Sequence, residues 1–174
     1  ELLGETRDDA VGEAFDKVGK LLELPYPGGP HIERIALDGD PASYKFPRPM
    51  LHSHDLNLSF SGLKTSVLYK VKEIDQMHNS IKSNIAASFQ AAVIEVLVKK
   101  ITKTIESTGR KEIIIAGGVA ANKKLRSSMK ELEDALDIKV FYPDLKYCGD
   151  NAAMIAYLGS LRGSSNNKPV ESCV

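Results

Sequence analysis

Ile113-Ile114-Ile115-Ala116-Gly117-Gly118-Val119-Ala120-Ala121-Asn122 is the stretch that decides the fold of this chain. It reads as a buried strand that runs into two glycines and then opens a helix. Glycine has no Cβ, so a ligand can approach the backbone closely at such a turn. N–H groups at the following helix start can face a phosphate or a polar sugar. Asp150 follows in Cys148-Gly149-Asp150-Asn151-Ala152-Ala153-Met154-Ile155-Ala156. A carboxylate at the start of a second helix can cap that helix or hold a metal. Two such turns, each ending a strand–helix unit, suggest a nucleotide site with a divalent ion.

Regular elements extend on both sides of that turn. A long helix is expected from Ser83 or Asn84 to about Ser107, with Ile85, Phe89, Ala92, Val93, Val96, Leu97, Ile101 and Ile105 on its buried stripe and Gly109 as its stop. Strand 112–116, helix 122–136, strand 139–142 and helix 150–161 follow. The order predicts an α/β domain with helices packed on a sheet. Upstream, residues 8–24 carry apolar side chains at helical spacing, with acids early and lysines late, as the helix dipole favours. Pro25-Tyr26-Pro27-Gly28-Gly29-Pro30 must turn, and a short helix is expected over 31–37. Leu56, Leu58 and Phe60 alternate with polar residues as in a half-buried strand, and 63–74 reads as a helix.

Composition narrows the function classes. At 174 residues with 43% apolar content, the chain can bury a core. Its formal net charge is zero, so no global field draws it to nucleic acid or an anionic membrane. Local lysine pairs read as solvated helix faces. Cys148 and Cys173 stand in unrelated contexts, which fits a reducing compartment. No apolar run approaches the ~20 residues of a membrane span. His52-Ser53-His54-Asp55 lies in a polar loop and reads as surface, and Cys148 as small buried packing. The chain opens on Glu1 in a charged helical pattern, as an excised fragment begins.

Several motifs together carry a family resemblance. Gly4-Glu5-Thr6-Arg7-Asp8-Asp9-Ala10 leads to Gly12-Glu13-Ala14-Phe15-Asp16-Lys17, and Tyr26-Pro27-Gly28-Gly29-Pro30 follows. Ser59-Phe60-Ser61-Gly62-Leu63-Lys64-Thr65, the Ala116-to-Asn122 turn and Gly149-Asp150-Asn151 complete the set. In order and spacing they resemble the bacterial TsaD proteins, the tRNA threonylcarbamoyltransferase family once described as glycoproteases. The resemblance implies one lobe of the actin-like and sugar-kinase (ASKHA) fold, with helices packed on a mixed sheet, and only the C-terminal half of the family's chain. The expected divisions are a helical ligand-contacting part with a strand–helix insertion (1–83), an α/β nucleotide- and metal-binding part (84–162) and a flexible tail (163–174).

It also implies a reaction. Family members transfer the threonylcarbamoyl group from threonylcarbamoyl-AMP to N6 of the adenosine 3′ of the anticodon, in tRNAs reading codons that begin with A. The donor is a mixed anhydride whose leaving group is already good, so the site needs positioning and a Lewis acid rather than a catalytic triad. No catalytic side chain is expected here. The implied partners are TsaB, TsaE, the tRNA and the missing N-terminal half, with self-association through apolar surface that half would cover. The implied cofactor is one divalent metal, Fe²⁺ first with Zn²⁺ or Mg²⁺ as alternatives, and the location is cytoplasmic with no membrane. An ATP-dependent kinase or ATPase of the same superfamily, binding ATP instead, and a non-catalytic partner-binding lobe are the competing readings.

Carried over residue by residue, the resemblance gives Asp16 to the ribose hydroxyls, which a carboxylate can accept together. Its alternative is a surface Asp paired with Lys20 one turn on. Gly29 matches the glycine whose backbone approaches the nucleoside, or is an ordinary turn. Asn122 matches a nucleotide-binding asparagine, or is a plain helix cap. Gly117 and Gly118 line the same turn as weaker assignments. Asp150 matches a metal-ligand aspartate, or caps its helix; the metal's two histidines and the first phosphate loop belong to the absent half.

Overall fold

The computed structural model describes residues 1–165 as an α/β arrangement, mostly helical, with a small parallel sheet. In chain order the elements are α1 (Val11–Leu21), α2 (Gly28–Ala36), α3 (Ser61–Lys72), α4 (Asn79–Thr108), β1 (Glu112–Ile114), a 3-10 turn (Gly118–Ala121), α5 (Lys123–Leu136), β2 (Lys139–Phe141), a second 3-10 turn (Leu145–Tyr147) and α6 (Ala152–Ser165). The flexible tail expected from residue 163 falls largely outside the described residues. The division expected at 83 and 84 falls within the first turns of α4.

α4 organises the molecule. Its 30 residues make a rod of about 45 Å, stopped by Gly109 in the left-handed conformation at φ 67°. It is long and apolar enough to cross a membrane, which the sequence reading missed, but most of that stretch is buried inside the protein. The first half of α4 packs on α2 and α3 through Ile85, Phe89, Ala92, Val93 and Val96, joined by Phe15 and Val18 of α1. Phe15 and Phe89 meet edge to face at 5.1 Å, the arrangement aromatic quadrupoles favour. The second half packs Ile94 against Leu125 and Met129 of α5, with Ile115 and Val140 from the strand region alongside.

The helix starts differ from expectation for identifiable reasons. α4 begins at Asn79 rather than 83 or 84, because Asn84 Oδ1 instead accepts the Asp40 N–H, 2.9 Å away. α2 begins at Gly28 rather than His31, since Asp16 Oδ1 accepts the Gly28 N–H at 2.7 Å, and Pro30 is tolerated in a first turn that needs no donor. α1 loses its expected first turn because Asp8 and Asp9 are engaged elsewhere. Lys17 Nζ holds Asp9 Oδ1 at 2.7 Å. Asp8 caps α3 from outside that helix, accepting from Ser59 Oγ (2.5 Å), Phe60 N (2.7 Å), Ser61 N (3.1 Å) and Ser61 Oγ (2.8 Å).

The mixed sheet expected from the sequence reduces, among the described residues, to two strands. β1 and β2 pair in parallel with Ile113 opposite Val140. The expected strand at Leu56–Phe60 survives only as an isolated parallel bridge between Leu58 and Thr6. Side-chain acceptors there compete for the backbone donors a ladder would need. Asn57 Oδ1 takes the Glu5 N–H, and Asp8 takes those of Phe60 and Ser61.

Burial raises the Asp8 carboxyl's pKa, but its bonds to Ser59, Phe60 and Ser61 outweigh that and hold it well below the usual carboxylate range. A depressed acid contributes stability above its unfolded pKa and loses it as pH falls. Asp8→Ala should therefore cost about 1 kcal/mol at pH 7, allowing for solvent screening of an exposed carboxylate. In thermal melts across pH, the difference from wild type should narrow below about pH 4. A difference that stays constant to pH 2 would contradict this role.

The 50–57 loop is held by α4. Lys100, 5% exposed, donates to Ser53 Oγ and to the Asp55 carbonyl, both at 2.7 Å. Lys103 reaches the Ser53 and His54 carbonyls. Arg7 binds Asp55 at 2.8 Å. The His52–Asp55 segment, expected simply as surface, keeps His52 and His54 exposed while Ser53 and Asp55 are half-buried and tie the loop to α4.

Candidate functional site

Four elements meet where the sequence placed the nucleotide turn. α1 and α2 touch backbone to backbone: a Cβ on Gly19 would lie 2.8 Å from Gly28 Cα, and one on Gly28 would lie 2.8 Å from the Phe15 carbonyl oxygen. Gly12 of α1 faces Val119 of the first 3-10 turn, whose Cγ2 lies 3.8 Å from where a Cβ would stand. Gly117, at φ 88°, makes the turn out of the β1 segment in a conformation that needs glycine. A short 3-10 turn fills the residues between the glycines and α5, which starts at Lys123, one residue from the expected Asn122.

Asp16 is half-buried. Its Oδ1 accepts the Gly28 N–H, and it forms no ion pair with Lys20, so the surface-pair alternative does not occur. Its Oδ2 has no partner among the described residues and is open to a ligand hydroxyl. Gly29, at the start of α2, has room for a side chain: the nearest atom to an added Cβ is Phe15 Cβ at 4.0 Å. Protein packing therefore explains Gly28 and leaves Gly29 unexplained.

Asn122 is the helix cap that one of its two expected readings named. It is 8% exposed, its Oδ1 caps α5 by accepting the Leu125 N–H at 2.9 Å, and its Nδ2 donates to Gln90 Oε1 at 2.8 Å. Glu33 of α2 accepts the Lys123 N–H at 2.6 Å, tying α2 to the start of α5. Asp16, Gly29 and Asn122 thus belong to one corner, reached through Gly28 and Glu33.

Asp150 stands apart from that hydrogen-bonded corner. It follows the second 3-10 turn, is exposed, and has no hydrogen bond or ion pair among the described residues. It does not cap α6. That role falls to Asn151, whose Oδ1 accepts the Met154 N–H at 3.1 Å. Nearby Cys148 is buried, with Sγ 3.8 Å from Arg126 Nη2 of α5, while Arg126 lies over the Tyr142 ring. No group of three or more His, Cys, Asp or Glu side chains converges among the described residues. For the metal the resemblance implies, Asp150 fits as one hard oxygen ligand, and these residues supply no complete site.

Sequence reasoning missed Glu33, Gln90 and Asp9. A lone Glu in an amphipathic helix carries no signal. Gln90 did carry one, being polar between buried positions of α4. Asp9 Oδ2 is buried without a hydrogen-bond partner, a state that buried carboxylates rarely hold. It is visible only in three dimensions.

Several apolar side chains of the strand region and α6 are exposed. Ile114 is 77% and Ile155 72% exposed, and Phe141, Leu145, Tyr157 and Leu161 are also open.

The family described as "TsaD: tRNA N6-adenosine threonylcarbamoyltransferase" matches residues 1–157. The tRNA N6-adenosine threonylcarbamoyltransferase of Polaromonas naphthalenivorans is 52% identical over 162 residues, covering 93% of this chain and 46% of the relative. The enzyme of the same name from Herminiimonas arsenicoxydans is 54% identical, covering 92% and 47%. That of Thermosipho africanus is 52% identical over 159 residues, covering 91% and 48%. The chain spans about half the length of the curated relatives it matches.

Proposed function

The chain belongs to the TsaD family, and from that membership we propose that it is the C-terminal half of a tRNA N6-adenosine threonylcarbamoyltransferase. Its fold is then one lobe of the ASKHA architecture, and the protein works in the cytoplasm with TsaB, TsaE and tRNA. The adenosine N6 attacks the threonylcarbamoyl carbonyl, forming the new C–N bond. The C–O bond to phosphate breaks, AMP leaves, and N6 gives up a proton.

This chain's part is to hold the nucleotide portion of the donor so that the carbonyl is presented to N6. Positioning of this kind can supply much of the acceleration when the leaving group is good. The observation that carries the reading is Asp16: one oxygen is fixed by Gly28 and the other has no partner among the described residues, while Gly29, next in the chain to Gly28, has unfilled space at its Cα. Such a carboxylate can accept a sugar hydroxyl while the glycine lets the nucleoside lie against backbone. Asn122 holds the start of α5 at the same corner. A divalent ion, Fe²⁺ by preference, would be held in part by Asp150, and when bound it would supply Lewis-acid polarisation of the donor's oxygens.

Asp16→Asn in the full-length protein tests this. The amide keeps an acceptor for the Gly28 N–H but loses the charge, so KM for threonylcarbamoyl-AMP should rise about tenfold or more, a charged hydrogen bond's worth, with little change in thermal stability. An unchanged KM would remove Asp16 from the site.

A further inference from the structure

Between α2 and α5 runs a groove of about 640 Å³, within the range of ligand sites. Ala87, Gln90 and Ala91 of α4 form its floor, and Arg34, Lys123 and Lys124 stand at its rim. None of those three cations makes an ion pair among the described residues. Gln90 is 7% exposed. Its Oε1 is occupied by Asn122 Nδ2, whereas its Nε2 has no partner among the described residues and is not sealed from solvent. The groove is the place where that amide can be satisfied.

We propose that Gln90 contacts the nucleobase: Oε1 holds Asn122 while Nε2 donates to a ring nitrogen or carbonyl on the edge of a base lying in the groove. The inference rests on the nucleotide reading above. A flat heteroaromatic suits an apolar floor with a single donor, because its faces are apolar and its edge carries acceptors. The rim cations suit its π faces. Holding Asn122 uses one end of Gln90; the other end, unpartnered among the described residues and reached by solvent, can exchange water for the edge of a base. Asn122 Oδ1 caps α5 and its Nδ2 holds Gln90, which leaves Gln90 Nε2 as the amide donor without a partner here.

The test is calorimetric titration of AMP and ribose 5-phosphate into the full-length protein, as wild type, Gln90→Glu and Gln90→Leu, with a thermal melt of each. Wild type should bind AMP at least about tenfold tighter than ribose 5-phosphate. Gln90→Glu keeps the acceptor for Asn122 and loses the donor, so AMP should weaken about tenfold with ribose 5-phosphate unchanged. Gln90→Leu should weaken both and melt earlier. Equal wild-type affinity for the two ligands overturns the proposal without relying on any variant's folding. So does Gln90→Glu that leaves AMP unchanged, or that weakens both ligands alike as a purely structural role would. Wild type that binds neither ligand overturns the nucleotide reading itself, and Gln90's role with it.

Discussion

Gly28→Ala should lower stability by about 3 kcal/mol, at the upper end of overpacking costs, whereas Gly29→Ala should stay within about 0.5 kcal/mol of wild type. The two glycines are adjacent, yet their surroundings differ. A Cβ on Gly28 would sit 2.8 Å from the Phe15 carbonyl oxygen, 2.9 Å from Asp16 Cα and 3.2 Å from Gly19 Cα. All three are backbone atoms in helix α1, so none can swing aside. The helices would have to part, breaking the Asp16–Gly28 hydrogen bond with them. At Gly29 an added methyl meets nothing closer than 4.0 Å. Its effect should fall on the ligand: AMP binding should drop sharply in a protein of normal stability. Urea unfolding of both variants, with AMP titration of the second, checks this. Equal stability of the two would contradict the close-approach account, and undiminished AMP binding by Gly29→Ala would remove that residue from the site.

Asp150→Asn in the full-length protein should reduce bound metal and threonylcarbamoyl transfer together, each by at least ~100-fold, the upper range for residues that only support a ligand. Because Asn151 provides the α6 cap, the substitution leaves helix capping intact, and thermal stability without metal should not change. Metal analysis beside a transfer assay separates the outcomes. A variant that keeps metal and activity shows that Asp150 is not a ligand.

How much of this was legible beforehand depends on whether the signal was local. Helix α5, the stop of α4 at Gly109 and the two short strands follow from apolar periodicity and glycine placement and stand near their expected bounds, whereas their parallel pairing does not show in either strand alone. The starts of α1, α2 and α4 were misread because each is set by a side chain distant in sequence: Asp8 pulled to α3, Asp16 to Gly28, Asn84 to Asp40. The Leu56–Phe60 strand failed for the same reason, its Phe60 donor being taken by Asp8 and the facing Glu5 donor by Asn57. At the site, Asp16 and Asn122 were named from motifs, but what each holds was not. Gly29 was named beside a glycine that packing alone explains. Glu33 carries no local signal, its meaning lying in the Lys123 N–H that it accepts, while the polar Gln90 on a buried stripe of α4 could have been read but its partner Asn122 could not.

The most direct measurement is threonylcarbamoyl transfer from threonylcarbamoyl-AMP to tRNA, by this chain alone and after the N-terminal half of the family's length is added in trans. Exposed apolar surface at Ile114, Phe141 and along α6 is of the kind that marks an interaction site, and the proposed metal ligand Asp150 is joined by no complete ligand group among the described residues. The account predicts no turnover by the chain alone and recovery of transfer when the other half is supplied. Turnover by the chain alone, or unmodified tRNA after two folded halves have associated, would contradict it.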